Sequence, residues 1–171
     1  MTTLDYALRY ANQGWAVFPA HGVENGCCTC RDQECRSPGK HPLTSGGFKI
    51  ASTDPDIIRE WWSQWPFANV GIATGSASGV IVVDIDVGPE KEGEISLQTL
   101  ESQVGALPRD AVVRTGSGGM HIYFQMPDME ISGNTGKLGK NIDVRANGGY
   151  VIAPPSTHIS GNNYEWINAH V

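Results

Sequence analysis

Apolar and polar positions along this chain recur at two periods. In TLDYALRYANQ, residues 3 to 13, Leu4, Ala7, Leu8 and Ala11 fall at helical spacing, with Thr3 as the N-cap. WAVFPA then reads as a short buried strand ending at Pro19. A second helix is predicted in STDPDIIREWWSQW, where Ser52, Thr53 and Asp54 are cap candidates and Pro55 takes a first helical position. Ile57, Ile58, Trp61, Trp62 and Trp65 form its apolar face, and core packing accounts for these tryptophans better than base stacking. NVGIATG and SGVIVVDIDV are two strands about a Gly/Ser turn, the pattern of a hairpin. SLQTLESQVGAL reads as a third helix that Pro108 stops. AVVRTGSGGMHIYFQMP gives strand, glycine turn, strand, and NIDVRANGGYVIAPPS repeats that arrangement. Helix and strand come first and antiparallel pairs mixed with helices follow. The expected fold is α+β, a mixed or antiparallel sheet with helices on one side.

Residues 21 to 49 break the pattern. They are polar, rich in Cys and Gly, and interrupted by Pro38 and Pro42, which marks an insertion loop. The 171 residues suit one domain with its own core, expected over 1–171 with its main motifs between 70 and 166. No stretch is apolar enough to span a bilayer, and MTTLDYALRY lacks a basic-then-apolar signal pattern. The expected place is the cytoplasm of a bacterial or archaeal host cell, without membrane contact.

A net charge of −6 argues against a broad basic surface for a phosphate backbone. The charge is uneven, however. Asp84, Asp86, Glu90, Glu92, Glu94 and Glu101 stand against Lys91 alone, whereas Lys137, Lys140 and Arg145 stand against Asp143 alone. A local basic site therefore remains open, and bound divalent cations would cancel part of the acid.

The acid itself sits in an unusual place. VIVVDIDV carries Asp84 and Asp86 on an otherwise apolar strand, and side chains at i and i+2 share a face about 7 Å apart. Val83, Ile85 and Val87 then face the core. Two such carboxylates repel unless a cation neutralises them, and hard ions such as Mg²⁺ or Mn²⁺ favour oxygen clusters. NIDVR adds Asp143 on another strand-like run, enough for two metals about 4 Å apart, the arrangement of in-line nucleotidyl transfer. Water-facing strand ends would account for a lone pair of aspartates; two Asp-bearing apolar strands favour metal.

RTGSGGMHIYF sets a flexible TGSGG loop directly before His121. A loop free of bulky side chains can turn N–H groups towards phosphate, and His121 would add a donor to the same oxygens. The four cysteines all fall between residues 27 and 35, where disulfides would staple little. With His41 they suit a tetrahedral zinc site. The spacing leaves open whether Cys27 or Cys28 joins Cys30, Cys35 and His41. Four protein ligands would make that zinc structural.

Taken together, GWAVFPA, CTCRDQECRSPGKHP, NVGIATG, GVIVVDIDV, RTGSGGMHIYF, NIDVRANGGYVIAPPS and HISGNNYEW resemble the N-terminal primase–polymerase domain of phage and plasmid replication proteins. That domain belongs to the archaeo-eukaryotic primase superfamily. The resemblance implies an RRM-like catalytic sheet fused to an N-terminal α/β unit. It also implies Asp84, Asp86 and Asp143 as catalytic metal ligands, His121 on the nucleotide's triphosphate, and Ser117 and Gly118 as the small residues before it. Its C-x-C, Cys, GKHP spacing selects Cys28, Cys30, Cys35 and His41 for zinc. The activity implied is template-directed synthesis or extension of primers on single-stranded DNA from dNTPs or NTPs, with two Mg²⁺ or Mn²⁺ ions. Lys137, Lys140 and Arg145 are candidates to steady phosphates or template, and a helicase domain or protein is the expected partner. Helices used for primer initiation lie downstream in such proteins, so extension is expected to outlast de novo priming in a chain ending at YEWINAHV. Two rivals use the same residues: a metal-dependent nuclease, and a non-catalytic zinc-containing module that binds nucleic acid.

Overall fold

The computed structural model describes residues 1–168; the last three residues of the domain expected over 1–171 lie outside the described residues. Helix α1, Thr3–Asn12, starts with a capping box in which the Thr2 hydroxyl accepts from the Asp5 N–H (3.2 Å) and the Asp5 carboxylate from the Thr2 N–H (2.7 Å). Thr2, not Thr3, is therefore the cap, because its partner acid stands three residues on. The Thr3 hydroxyl instead accepts from the Trp62 indole at 3.0 Å. Strand β1, Val17–Ala20, is buried throughout. A small hairpin follows, β2 (Val23–Glu24) with β3 (Cys27–Cys28). Helix α2, Pro55–Gln64, is capped by Asp54 and has Pro55 in its first turn, as expected. Its buried face is Ile58 and Trp62, with Trp61 and Trp65 partly covered; Ile57 turns out to solvent.

Strands β4 (Asn69–Ala73) and β5 (Val80–Ile85) come next, then the small pair β6 (Val87–Gly88) and β7 (Lys91–Glu92). Helix α3 spans Gly93–Val104 and ends at Gly105, whose φ of 88° breaks the helix before Pro108 is reached. The remaining strands are β8 (Val112–Arg114), β9 (Met120–Gln125), β10 (Asn134–Thr135), β11 (Ile142–Arg145), β12 (Tyr150–Ala153) and β13 (Glu165–Asn168).

These strands build antiparallel sheets, so the fold is mixed α+β. One sheet has the order β1-β4-β12 and the larger has β10-β11-β5-β9-β8-β13. Only one of the three expected hairpins forms as read, β8 with β9 about the glycine turn. β4 and β5 touch through the single bridge Gly75–Val80 and then separate into different sheets, as do β11 and β12. β4 is buried on both faces and sits between β1 and β12, which leaves no edge for β5. The two crossings brace each other: Asn147 Oδ1 accepts from the Ser76 N–H at 2.8 Å, and the Thr74 hydroxyl donates to Ala146 O at 2.7 Å.

The helices do not all lie on one side. On β5, Val83 and Ile85 pack with Leu97 of α3, together with Val112, Ile122 and Ile142. Val82, on the aspartate face, joins Val113 and Tyr123 in the other core, which holds α1, α2 and the smaller sheet. The larger sheet is thus covered by α3 on one face and partly by the smaller sheet's unit on the other.

Gly71 fixes the closeness of that smaller unit. A Cβ on Gly71 would fall inside the ring of fully buried Phe18, its cross-strand partner. Gly71→Ala is expected to cost about 1–3 kcal/mol in urea unfolding, with part recovered by adding Phe18→Leu. Equal stability of Gly71→Ala and wild type would refute the tight Phe18 seat.

Candidate nucleotide and metal sites

Three stretches far apart in sequence meet across β5. Its neighbours are β11 and β9, and the register sets Asp84 opposite both Asp143 and His121. Directly opposed side chains have Cβ atoms about 5 Å apart, so the row Asp143, Asp84, His121 follows from strand pairing alone. Two residues along, Arg145 and Tyr123 flank Val82 on the same face.

The row is linked by charge. Asp84 Oδ1 lies 3.4 Å from His121 Nε2, and its Oδ2 accepts from the Arg145 guanidinium at 3.2 Å. The same Arg145 nitrogen donates to Asp143 at 2.8 Å. Burial would raise the pKa of Asp84, whose side chain is only 19% exposed. Against it act the hydrogen bond and charge of His121 and then those of Arg145, which bring the carboxyl down to about 2. Among the described residues, His121 Nδ1 is buried with no hydrogen-bond partner, as is the Tyr123 hydroxyl. Burial and then the two nearby aspartates, Asp84 and Asp86, hold the Tyr164 phenol above its usual pKa.

Asp86 lies just past the end of β5. Its N–H donates to Asn141 O at 3.0 Å, and its half-exposed carboxylate meets Lys91 at 3.2 Å. Asp84 and Asp86 nonetheless line one cavity of about 300 Å³ between the two sheets, together with His121, Thr115, Ser117 and Arg145. The facing wall runs from Gly148 to Ile152 and includes Tyr150, whose ring centroid is 5.2 Å from that of Phe48.

The glycine turn is tied down from behind. Gly116 O accepts from the Ser160 hydroxyl (2.7 Å) and the Asn162 amide (3.2 Å), and a Cβ on Gly116 would run into His158. Within the turn the Gly118 N–H donates to Thr115 O at 2.9 Å and is already satisfied. What the turn offers the cavity is a pair of hydroxyls, Thr115 and Ser117, 3.0 Å apart. Gly118 lines a separate groove with Arg114 and Asn162.

The insertion loop gathers its own cluster. One ligand atom each from Cys28, Cys30, Cys35 and His41 lie within 4.8 Å of one another. His41 Nε2 is 3.5 Å from both the Cys28 and Cys35 sulfurs. The choice between adjacent cysteines falls out of strand geometry: successive residues of β3 point oppositely, leaving Cys28 buried and Cys27 exposed. Three thiols and one imidazole at this spacing fit a tetrahedral zinc ion. Burial opposes ionisation of Cys28, yet the N–H groups of Cys30 and Gly39 and the neighbouring thiols hold its pKa below the ordinary value. Burial and then the Cys30 and Cys28 thiols push Cys35 up to about 11.

The Prim-Pol family, described as bifunctional DNA primase/polymerase, N-terminal, matches residues 7–171. The chain belongs to this family. No curated protein matches it. Among the described residues no helix is long and apolar enough to cross a membrane. Membership assigns a primase/polymerase-type nucleotidyltransferase role in replication, with DNA and nucleotides as substrates and divalent metals in use.

Of the expected site residues, this Prim-Pol domain brings Asp84, Asp86, His121, Ser117 and Arg145 to one cavity. Asp143 adjoins it through Arg145. Lys140 pairs with Glu92 at 2.6 Å, and exposed Lys137 stands apart from the cavity lining. Lys40 and Thr115 line it without having been singled out in the sequence. Lys40 directly precedes His41 in GKHP, where local spacing points to zinc and carries no sign of the cavity.

Two measurements follow from this geometry. Because the folded pKa of Asp84, about 2, lies below the ordinary 3.8, its stabilising contribution is present above that ordinary value and lost as pH falls through the folded one. In buffer free of Mg²⁺ and Mn²⁺, wild type should lose on the order of 2 kcal/mol relative to Asp84→Asn between about pH 5 and pH 2. Parallel pH curves in urea unfolding would refute the His121 and Arg145 contacts. For the insertion loop, metal analysis should find about one zinc per chain, kept by Cys27→Ser and lost by Cys28→Ser. The reverse pattern would exchange the two cysteines.

Proposed function

We propose that this Prim-Pol domain makes or extends primers on a single-stranded DNA template from nucleoside triphosphates, with two Mg²⁺ or Mn²⁺ ions at its aspartates. The setting is replication of a phage or plasmid, and a helicase, fused or separate, would supply the single strand. The observation that carries this reading is the shared cavity: two carboxylates, two hydroxyls, an imidazole and a guanidinium face one space of about 300 Å³. A nuclease acting through a positioned water has less use for the hydroxyl turn and the buried imidazole.

The donor set fits hard cations. Asp84 stays ionised at every working pH, and Asp86 offers a half-exposed carboxylate on the same wall. Asp143 is held by Arg145, so its share in ion binding depends on that contact opening. When bound, such ions lower the pKa of the attacking hydroxyl and neutralise the triphosphate and its departing pyrophosphate. The chain's own residues would orient the substrate. His121 lines the cavity with its Nε2 on Asp84, which fixes the imidazole beside the ionised carboxylate. Thr115 and Ser117 offer hydroxyl donors without bulk, and Arg145 presents a planar fork suited to phosphate. Positioning and charge neutralisation would supply most of the rate, since this transfer needs little covalent help. The Cys28, Cys30, Cys35, His41 ion would be structural, with no coordination position left for water.

Primer extension tests the reading, with labelled dNTPs or NTPs and a single-stranded DNA template, primed and unprimed, in Mg²⁺ or Mn²⁺. Products should lengthen with wild type and fall by at least about a hundred-fold in Asp84→Ala/Asp86→Ala. Product without a primer adds priming. Release of mononucleotides without pyrophosphate would favour a nuclease, and equal product from both proteins would leave a binding module.

A further inference from the structure

The zinc loop reaches the nucleotide cavity. Between its ligands Cys35 and His41, both Ser37 and Lys40 line the same space as Asp84 and His121. Lys40 directly precedes a ligand, and the residue before it is held on both sides. The Gly39 N–H donates to Cys28 Sγ at 3.4 Å, and its carbonyl accepts from the Asn69 amide at 2.9 Å. Gly39 has a φ of 72°, and a Cβ there would stand 2.8 Å from a Val23 methyl, so this backbone has little room to swing. Asn69 is itself buried at the start of β4 and grips Thr157 through both ends of its amide, at 2.9 and 3.0 Å. The loop is thereby fastened to the smaller sheet as well as to its ligand cluster.

The charge of Lys40 is uncommitted. Arg145 is matched by Asp84 and Asp143, Lys91 by Asp86, and Lys140 by Glu92, whereas Lys40 has no ion pair among the described residues. It is half-buried at the cavity wall. Burial, and after it the charge of Lys40, push the His158 imidazole below its usual pKa, which sets the ammonium near the buttress of the glycine turn.

We propose that Lys40 binds a phosphate of the incoming nucleotide and that the zinc cluster acts on nucleotide affinity by fixing the backbone of Gly39, Lys40 and His41. This rests on the nucleotidyltransfer reading and adds to it a cation supplied by the insertion loop. The zinc site then has two consequences from one cause: it folds the loop, and it sets a phosphate ligand.

Equilibrium binding of dATP, inorganic triphosphate and deoxyadenosine, with Mg²⁺ in excess, tests it on wild type, Lys40→Ala and Lys40→Arg. Lys40→Ala should weaken dATP and inorganic triphosphate by about ten-fold or more, as for one lost charge-assisted contact, with deoxyadenosine unaffected. Lys40→Arg should keep most of the affinity. A zinc-selective chelator should weaken wild type to the level of Lys40→Ala and change Lys40→Ala little further, with circular dichroism reporting the remaining fold. If the stripped protein unfolds, Asn69→Ala replaces the chelator, since it frees Gly39 while the ion stays. Unchanged dATP binding in Lys40→Ala overturns the proposal, as does equal weakening of deoxyadenosine. Chelation or Asn69→Ala that weakens both proteins equally overturns the link through Lys40. A wild type that binds dATP no better than deoxyadenosine sinks the nucleotide reading itself.

Discussion

Everything at the cavity depends on the register of β5 between β11 and β9. A slip of one residue in either pairing would send the whole set of side chains to the opposite face. The register is secured from the other face, where Val83 and Ile85 pack with Ile122, Ile142 and Leu97. Apolar packing on one face therefore holds Asp143, Asp84 and His121 in a row on the other. That row carries a concentration of charge that could not stand alone, and Arg145 and His121 offset it.

The cavity itself is a product of the two crossings between sheets. Had β5 stayed beside β4, and β12 beside β11, the aspartate face would have had no facing wall. Instead the chain leaves one sheet for the other at residues 75–79 and again at 147–149, and the Asn147 and Thr74 bonds lock the crossings together. Apolar contact through Val82, Val113 and Tyr123 closes one part of the gap between sheets. The polar part stays open as the cavity. Glycine at 148 and 149 keeps that wall thin, which suits close approach of a phosphate or sugar.

A third element, the insertion loop, joins this cleft from outside both sheets. Its backbone has little regular pairing beyond the β2–β3 hairpin, so its shape rests on the cysteine cluster and on the Asn69 amide. Loops of this kind can carry a functional side chain only when something other than a sheet fixes them.

The sequence by itself determined most of the periodic elements and the residue types each of them carries. Helices α1 and α2, the β8–β9 hairpin, the Asp84 and Asp86 pair and the cysteine–histidine set were all legible, since each rests on local spacing and residue type. Local type does not separate Thr3 from Thr2 as the cap, since the two differ only in which one faces Asp5. The two false hairpins had a deeper cause: a glycine turn between β-branched runs says that strands reverse, not that they share a sheet. Cys27 and Cys28 were indistinguishable by type alone, and strand alternation in β3 separated them. Only the tertiary structure decided which residues meet. It set Asp143 and His121 beside Asp84, took Lys140 away to Glu92, and brought Lys40 into the cleft, because those outcomes depend on long-range register and sheet packing that no local pattern encodes.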